Sequence, residues 1–255
     1  MSTPATEPQQ SLPRLYKDLS WIWPLWGSVE DYRTECEFFN GLLDKHSPFA
    51  VNTLLDLGCG GGKTACNLAR YYKITGIDLS QEMLSLAREL TSDAQFILGD
   101  MRTVRLGRTF DAVFINDSIA YMRTLEDLEA VFRTARLHLR PGGVMLVIAE
   151  VTRETLVQNQ THTSFGEHDN LQLTFLQNYF DPNPDDTEFE CVLTFIIREK
   201  GRVRIEHDLH HLGLFSQQQW EQTLAQAGFN LRMEQFPPGL AEECPGASLF
   251  VCTAA

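Results

Sequence analysis

No CxxC pair occurs among the six cysteines, so neither a zinc knuckle nor a disulfide framework is suggested. No apolar run approaches the length of a membrane span; the longest, such as Val144 to Ala149, are strand-sized. Basic residues are scarce beside acidic ones, 21 Lys and Arg against 34 Asp and Glu, for a net charge of −13. That balance disfavours attraction to phosphate backbones, and the densest arginine cluster (Arg102, Arg105, Arg108) is modest, so DNA and RNA are not expected as substrates. No internal repeat is visible. No charged-then-apolar signal opens the chain; its first dozen residues are polar and Pro-rich, which predicts a disordered tail and, by default, a cytoplasmic protein. A chain of 255 residues that is 43% hydrophobic suffices for one core, or one core with an elaboration.

What is present centres on Leu54-Leu55-Asp56-Leu57-Gly58-Cys59-Gly60-Gly61-Gly62-Lys63-Thr64. Apolar residues and an acid lead into a glycine cluster, and Thr64 to Tyr72 reads as a helix. A buried strand, a tight turn and a helix N-terminus bring bare backbone N–H groups against a ligand. Spacing separates the ligand classes. A nucleotide P-loop needs glycine where Leu57 stands, and a dinucleotide fingerprint needs its third glycine where Lys63 stands. NTPase and NAD-dependent readings both fail on those residues, leaving Asp-x-Gly-x-Gly-x-Gly.

This pattern resembles motif I of the class I S-adenosylmethionine (SAM)-dependent methyltransferases, and further pieces follow in family order. Gly76-Ile77-Asp78-Leu79-Ser80, Gly99-Asp100-Met101, Phe110-Asp111-Ala112-Val113-Phe114 and Leu139-Arg140-Pro141-Gly142-Gly143 resemble the motifs of the second to fifth strands. The resemblance covers roughly residues 50–150 and, more weakly, the C-terminus. It implies a Rossmann-like α/β fold, a seven-stranded, mostly parallel sheet with helices on both faces. It implies SAM as cofactor, S-adenosylhomocysteine as product, and a layout similar to small-molecule and amino-sugar N-methyltransferases. Asp56 would then orient the methionine amino group, Asp78 accept the ribose hydroxyls, Asp100 accept from the adenine amino group and Met101 pack on the ring. Gly58, Cys59, Gly60, Gly62, Leu79, Met83, Arg102, Asn116 and Tyr121 would complete the cofactor site, with Tyr16 and Trp26 from an N-terminal lid.

In chain order, Tyr16 to Tyr32 is rich in aromatics and reads either as rings packed on the domain or as that lid, whose faces suit a cation. Asp31 to Lys45 reads as an amphipathic helix with Cys36, Phe39, Leu42 and Leu43 on one stripe. Strands are expected at Thr53–Leu57, Lys73–Ile77, Ala94–Leu98, Phe110–Ile115 and Val144–Ala149, and helices at Ser80–Leu90 and Leu125–Leu139. Asn116 to Tyr121 has no Pro-Pro, unlike DNA adenine methyltransferases. Glu150, at the end of strand five, reads either as a solvated acid or as a group that holds an ammonium or takes a proton from a nucleophile.

Residues 151–212 depart from the minimal core. Leu171–Phe180, Phe189–Arg198 and Arg202–His211 alternate like strands, which predicts an antiparallel β insertion; the resemblance to natural-product and sugar amine methyltransferases implies that it roofs the acceptor. Alternation puts Val203, Ile205, His207, Leu209 and His211 on one face and His210 with Glu206 and Asp208 on the other, so the histidines do not converge and no metal is expected. Ser216–Ala227 reads as a helix with a Ser216/Gln219 capping box and a Gly228 cap. Phe229–Gln235 and Ser248–Thr253 would close the sheet, joined through Pro237-Pro238-Gly239 and Pro245-Gly246.

The expected organisation is 1–47 tail and lid, 48–150 cofactor core, 151–212 insertion and 213–255 closing helix and hairpin. The expected activity is methyl transfer to a nitrogen or oxygen of a small molecule, with Glu150 and His211 as candidate bases and a homodimer left open. A protein or RNA methyltransferase, or a non-catalytic SAM-binding module, is the competing reading.

Overall fold

A computed structural model describes residues 12–243 and 246–254; most of the expected tail, Cys244 and the Pro245 turn signal lie outside the described residues. Three short 3-10 helices (Arg14–Tyr16, Ser20–Leu25, Glu30–Tyr32) lead into α1 (Arg33–His46). Then follow β1 (Thr53–Leu57), α2 (Lys63–Leu68), β2 (Lys73–Asp78), α3 (Gln81–Leu90), β3 (Ala94–Leu98), β4 (Phe110–Ile115), α4 (Leu125–His138) and β5 (Leu139–Ala149). Four strands come next, β6 (Gln160–His168), β7 (Leu171–Phe180), β8 (Glu188–Glu199) and β9 (Arg202–Gly213). The chain closes with α5 (Gln217–Gln226), β10 (Phe229–Glu234), α6 (Leu240–Glu243) and β11 (Ser248–Ala254).

The main sheet has the order β10-β11-β5-β4-β1-β2-β3, with β11 antiparallel to both neighbours. Its central strands are near-continuous apolar runs because helices cover both faces; all six residues of β4 are buried. One face packs Val131, Phe132 and Trp220 from α4 and α5, the other Phe39, Leu43 and Leu68 from α1 and α2. The stripe expected on α1 is buried, and the Ser216/Gln219 capping box is formed. The direction of winding reverses between β1 and β4. Ligands of such sheets bind outside the carboxyl ends of the strands at that crevice, here opposite Gly58–Gly62 and Asn116–Tyr121.

The inserted sheet has the order β6-β7-β8-β9, entirely antiparallel. Its inner face (Leu173, Phe175, Phe189, Leu193, Phe195, Ile197, Leu212) shares a third core with Leu15, Leu19 and Ile22, so lid and insertion are one packed unit. Two backbone approaches seat it. A Cβ on Gly213 would lie 1.9 Å from the Met122 carbonyl oxygen, and one on Gly166 would lie 2.0 Å from that of Leu25.

Several boundaries differ from expectation. The insertion has four strands, not three: β6 (Gln-Thr-His-Thr-Ser-Phe-Gly-Glu-His) is an edge strand exposed along most of its length, so it carries no apolar alternation. β5 starts at Leu139, not Val144, because Leu139 pairs with Phe110 across a bulge before the regular ladder resumes at Ala112 and Val144. α2 stops at Leu68 rather than running to Tyr72. The Tyr72 hydroxyl is held by Asn40 and the Lys73 N–H by the Asn52 carbonyl, which turns the chain into β2. Asp31 falls in a 3-10 turn ahead of α1.

Candidate functional site

The glycine loop is built by three left-handed residues, Gly58, Gly60 and Gly62, at φ of +82°, +51° and +82°. It closes on the end of β2: the Gly58 and Cys59 N–H groups donate to the Ile77 carbonyl, and the Gly60 N–H donates to Asp78 Oδ2 at 2.8 Å. Asp78 Oδ1 accepts from the Ser80 N–H at 2.8 Å, and Ser80 caps α3 through Met83 N. Burial raises the Asp78 carboxyl, and the backbone hydrogen bonds pull it back only in part. Asp56 lies beneath the loop, 3% exposed, with Oδ2 buried and unpartnered. Burial first, then Asp78 and Asp117, push its carboxyl up to about 8. An orphan carboxylate oxygen under a glycine cradle fits an ammonium group, and the Asp78 carboxylate fits vicinal hydroxyls.

Beyond β4, Asp117 adopts a left-handed φ of +46°. Asp117 and Glu150, the residue after β5, are open to the cleft yet have protein around their carboxyls, and each acts on the other. The Asp117 charge, then burial, hold the Glu150 carboxyl well above the usual carboxylate range. That charge reaches the phenols of Tyr16, Tyr32 and Tyr179, which stand around the pair. Behind Glu150 a small cavity is walled by Ile119, Phe189, Leu212 and Trp220, and the Trp220 indole N–H is buried without a partner.

The N-terminal segment covers the site from above. A Cβ on Gly61 would strike the Trp23 indole, so that ring lies directly on the loop. Lys63, 5% exposed, donates to the Trp23 carbonyl at 2.9 Å and to the Trp26 carbonyl, with its Nζ over the Trp23 and Tyr32 rings. Ser80 Oγ donates to the Tyr16 carbonyl at 2.6 Å. The Tyr16 and Tyr121 hydroxyls meet at 2.7 Å, Tyr121 meets His210 Nδ1 at 2.6 Å, and His210 Nε2 meets Asp208 Oδ2 at 2.9 Å. Asp208 Oδ2 also accepts from the Leu15 N–H at 2.7 Å, closing a ring through lid, β4 loop and inserted sheet.

The structure thus brings together Tyr16, Asp56, Gly58, Gly60, Gly62, Asp78, Asn116, Tyr121 and Glu150. Cys59 and Met101 lie just beneath, buried against Gly76 and Gly58. Leu79 is exposed beside Asp78. Asp100 is occupied by its neighbour: Arg102 contacts both carboxylate oxygens and reaches Asp127, so the Arg102 guanidinium serves Asp100 rather than open space. Burial would raise Asp100, but these hydrogen bonds hold it below its usual range. Met83 is wholly buried within the domain, and the Trp26 ring stacks on Phe175, 4.2 Å between centroids. His211 is not brought into the site. It lies on the exposed face of β9 with Val203, Ile205 and Leu209, whereas His210 and Asp208 face inward. Alternation gave the two faces but not which one the lid covers. His210, Asp208 and Asp117 are the residues that sequence reasoning missed. The inward polar pair, two residues apart, becomes a signal only once the lid is known to pack there. No cluster of metal-ligating side chains occurs among the described residues.

Comparison with known proteins agrees with this geometry. Residues 54–143 match a family model described as a methyltransferase domain. The chain is 32% identical over 227 residues to dTDP-3-amino-3,4,6-trideoxy-alpha-D-glucopyranose N,N-dimethyltransferase of Streptomyces venezuelae, covering 88% of this chain and 92% of the relative. It is 29% identical to dTDP-3-amino-3,6-dideoxy-alpha-D-glucopyranose N,N-dimethyltransferase of Streptomyces fradiae, over 87% and 88%. Among solved structures, Streptomyces venezuelae DesVI superposes with a TM-score of 0.81 at 28% identity, covering 93% of this chain and 97% of that one. SAM-bound CalS10 of Micromonospora echinaspora, an amino pentose methyltransferase, superposes at 0.79 and 20% identity, over 98% and 100%, a likeness of fold.

Proposed function

We infer the acceptor from a fixed premise: this chain belongs to the class I SAM-dependent methyltransferases, and it is an enzyme that uses SAM. The acceptor is an amino group of a small molecule, of the class the relatives' names give, a nucleotide-linked amino sugar. The observation that carries this reading is the Asp117–Glu150 pair at the strand ends, two neighbouring acids within electrostatic reach of the Tyr32 and Tyr179 phenols, with Tyr16 in reach of Asp117. Carboxylate and aromatic faces together attract an ammonium. In this reading Glu150 holds the amine and does not act as the base.

Bound beneath the lid, SAM supplies a methyl group already activated on a sulfonium. Asp56 would hold its ammonium, Asp78 its ribose and Gly58 to Gly62 its backbone-facing side. The remaining work of the protein is alignment and exclusion of water, through the lid fixed by Lys63 and Ser80 and the roof formed by the inserted sheet. The acidic surface balance supports a small-molecule acceptor over nucleic acid. Among the described residues no helix is long and apolar enough to cross a membrane. A cytoplasmic enzyme, and a homodimer, complete the reading.

The test is a transfer assay with SAM, dTDP-linked 3-amino and 4-amino sugars and their hydroxyl counterparts, with added methyls counted by mass. Methylation of the amino sugars alone is expected. Transfer to the hydroxyl counterparts alone, or to neither while SAM binds, would remove the amine reading.

A further inference from the structure

The closed ring of hydrogen bonds has a direction. Burial works to raise the Asp208 carboxyl, but hydrogen bonds from His210 and the Leu15 backbone outweigh it and hold the group below its usual range, so it is ionised and only accepts. His210 Nε2 therefore carries a hydrogen. In the neutral imidazole Nδ1 is then an acceptor, and the Tyr121 hydroxyl donates to it. With its hydrogen committed to His210, the Tyr121 oxygen accepts from the Tyr16 hydroxyl. The Tyr16 oxygen ends the series with lone pairs to offer. The Tyr16 ring meets Tyr121 and His210 edge-on while its carbonyl is held by Ser80 beside Asp78, which places the residue between the inserted sheet and the cofactor end of the cleft.

We propose that Tyr16, Tyr121 and His210, oriented by Asp208, form a one-way proton path that removes a proton from the acceptor nitrogen and lodges it on His210. The inference rests on the amine reading for the identity of the proton donor. When an amine nitrogen forms its new bond to carbon it becomes an ammonium and must lose a proton. That proton passes to the Tyr16 oxygen as the Tyr16 hydrogen passes to Tyr121 and the Tyr121 hydrogen passes to Nδ1. Both phenols end as they began, and the one new charge, an imidazolium, faces the Asp208 carboxylate. Burial, above all, pushes both phenols far above their usual range, so neither ionises, and concerted transfer is the route such groups can take. Tyr16 is the catalytic residue of the series; Tyr121, His210 and Asp208 act through it.

Among the described residues no other charge facing His210 competes. Cys191 stands opposite it on β8, and its thiol is pushed up to about 12, mainly by burial. Glu206, on the same face of β9, is paired with Arg14. His211 and His207 point to the other face.

Two measurements test the path, and they fail separately from the amine reading. In the ligand-free protein, nitrogen NMR of labelled histidine is expected to show His210 as the Nε2–H tautomer, with Tyr121→Phe shifting its Nδ1 resonance. An Nδ1–H tautomer would reverse the direction and overturn the inference whatever the acceptor. In the transfer assay, His210→Gln and Tyr121→Phe should each lower kcat about 100-fold. SAM affinity by titration and the acceptor KM should stay within about threefold. Tyr121→Phe keeps the ring packing, so a fold defect in His210→Gln leaves it as the deciding variant. Wild-type kcat in Tyr121→Phe would sink the path while leaving amine methylation intact.

Discussion

Both oxygens of the Asp78 carboxylate already accept backbone N–H groups, from Gly60 and from Ser80. The residue therefore shapes the glycine loop, and the proposed ribose contact would use its remaining lone pairs. Asp78→Ala removes a charge-assisted interaction of about 1.5–3 kcal/mol, so SAM affinity measured by titration should fall at least tenfold. Unchanged affinity would take Asp78 out of the cofactor site. The glycine loop and the acid beside it were legible in the sequence because glycines at a strand–helix turn and an acid at a strand end have few other uses. The acceptor half was not. Glu150 stood out only by its place after β5, and its partner Asp117 was hidden in a loop with no motif. His211 was preferred to His210 because one-strand periodicity is blind to what packs on each face.

At the scale of elements, the inserted sheet depends on two glycines that admit backbone contact. Gly213→Ala would drive a methyl into the Met122 carbonyl and displace β9 from the Ser118–Tyr121 turn that carries Tyr121. Overpacking of this kind costs about 1–3 kcal/mol. The thermal midpoint should fall, and kcat should fall further than SAM affinity, because β9 bears on the acceptor side. Equal loss of both would show that the two halves are not separable. The lid depends on Lys63 in the same way. Lys63→Met leaves the Trp23 and Trp26 carbonyls without their donor, at about 1–3 kcal/mol. Proteolysis at Trp23–Ser28 should then accelerate, and SAM binding should weaken; a cleavage rate equal to wild type would show that the rings alone hold the lid. The same lysine excluded a dinucleotide fingerprint at the level of sequence, where nothing showed that it clamps the lid. The helices were legible from apolar periodicity, and the central strands from short apolar runs and the motifs at their ends. The β6 edge strand was not, since a strand exposed along most of its length has no pattern to read.

For the whole molecule, the cleft gathers Asp56, Asp78, Asp117 and Glu150, all with carboxyls raised. A carboxyl raised on folding contributes stability that is full below its unfolded value, near 4, and is lost as pH rises through its folded value. For Asp56 that folded value is about 8. The ligand-free protein should therefore lose thermal stability between about pH 5 and pH 9, and Asp56→Asn should flatten the decline. A cationic ligand favours the ionised forms, so the stabilisation given by SAM should grow over the same range. Scanning fluorimetry with and without SAM reads both; a ligand-free midpoint that rises across this window would contradict the arrangement.

Leu15 and Tyr16 are adjacent, yet Asp208 of the acceptor roof holds one and Ser80 of the cofactor half holds the other. The two halves of the cleft thus share a single door. On that arrangement, release of spent cofactor is expected to require the segment that also covers the acceptor side to swing away. Were a second methyl added to the same nitrogen, it would then require a full reopening, with the singly methylated product free to depart. The expected outcome is distributive: free mono-methylated product should accumulate before any dimethylated form, and dilution during the reaction should widen the gap between them.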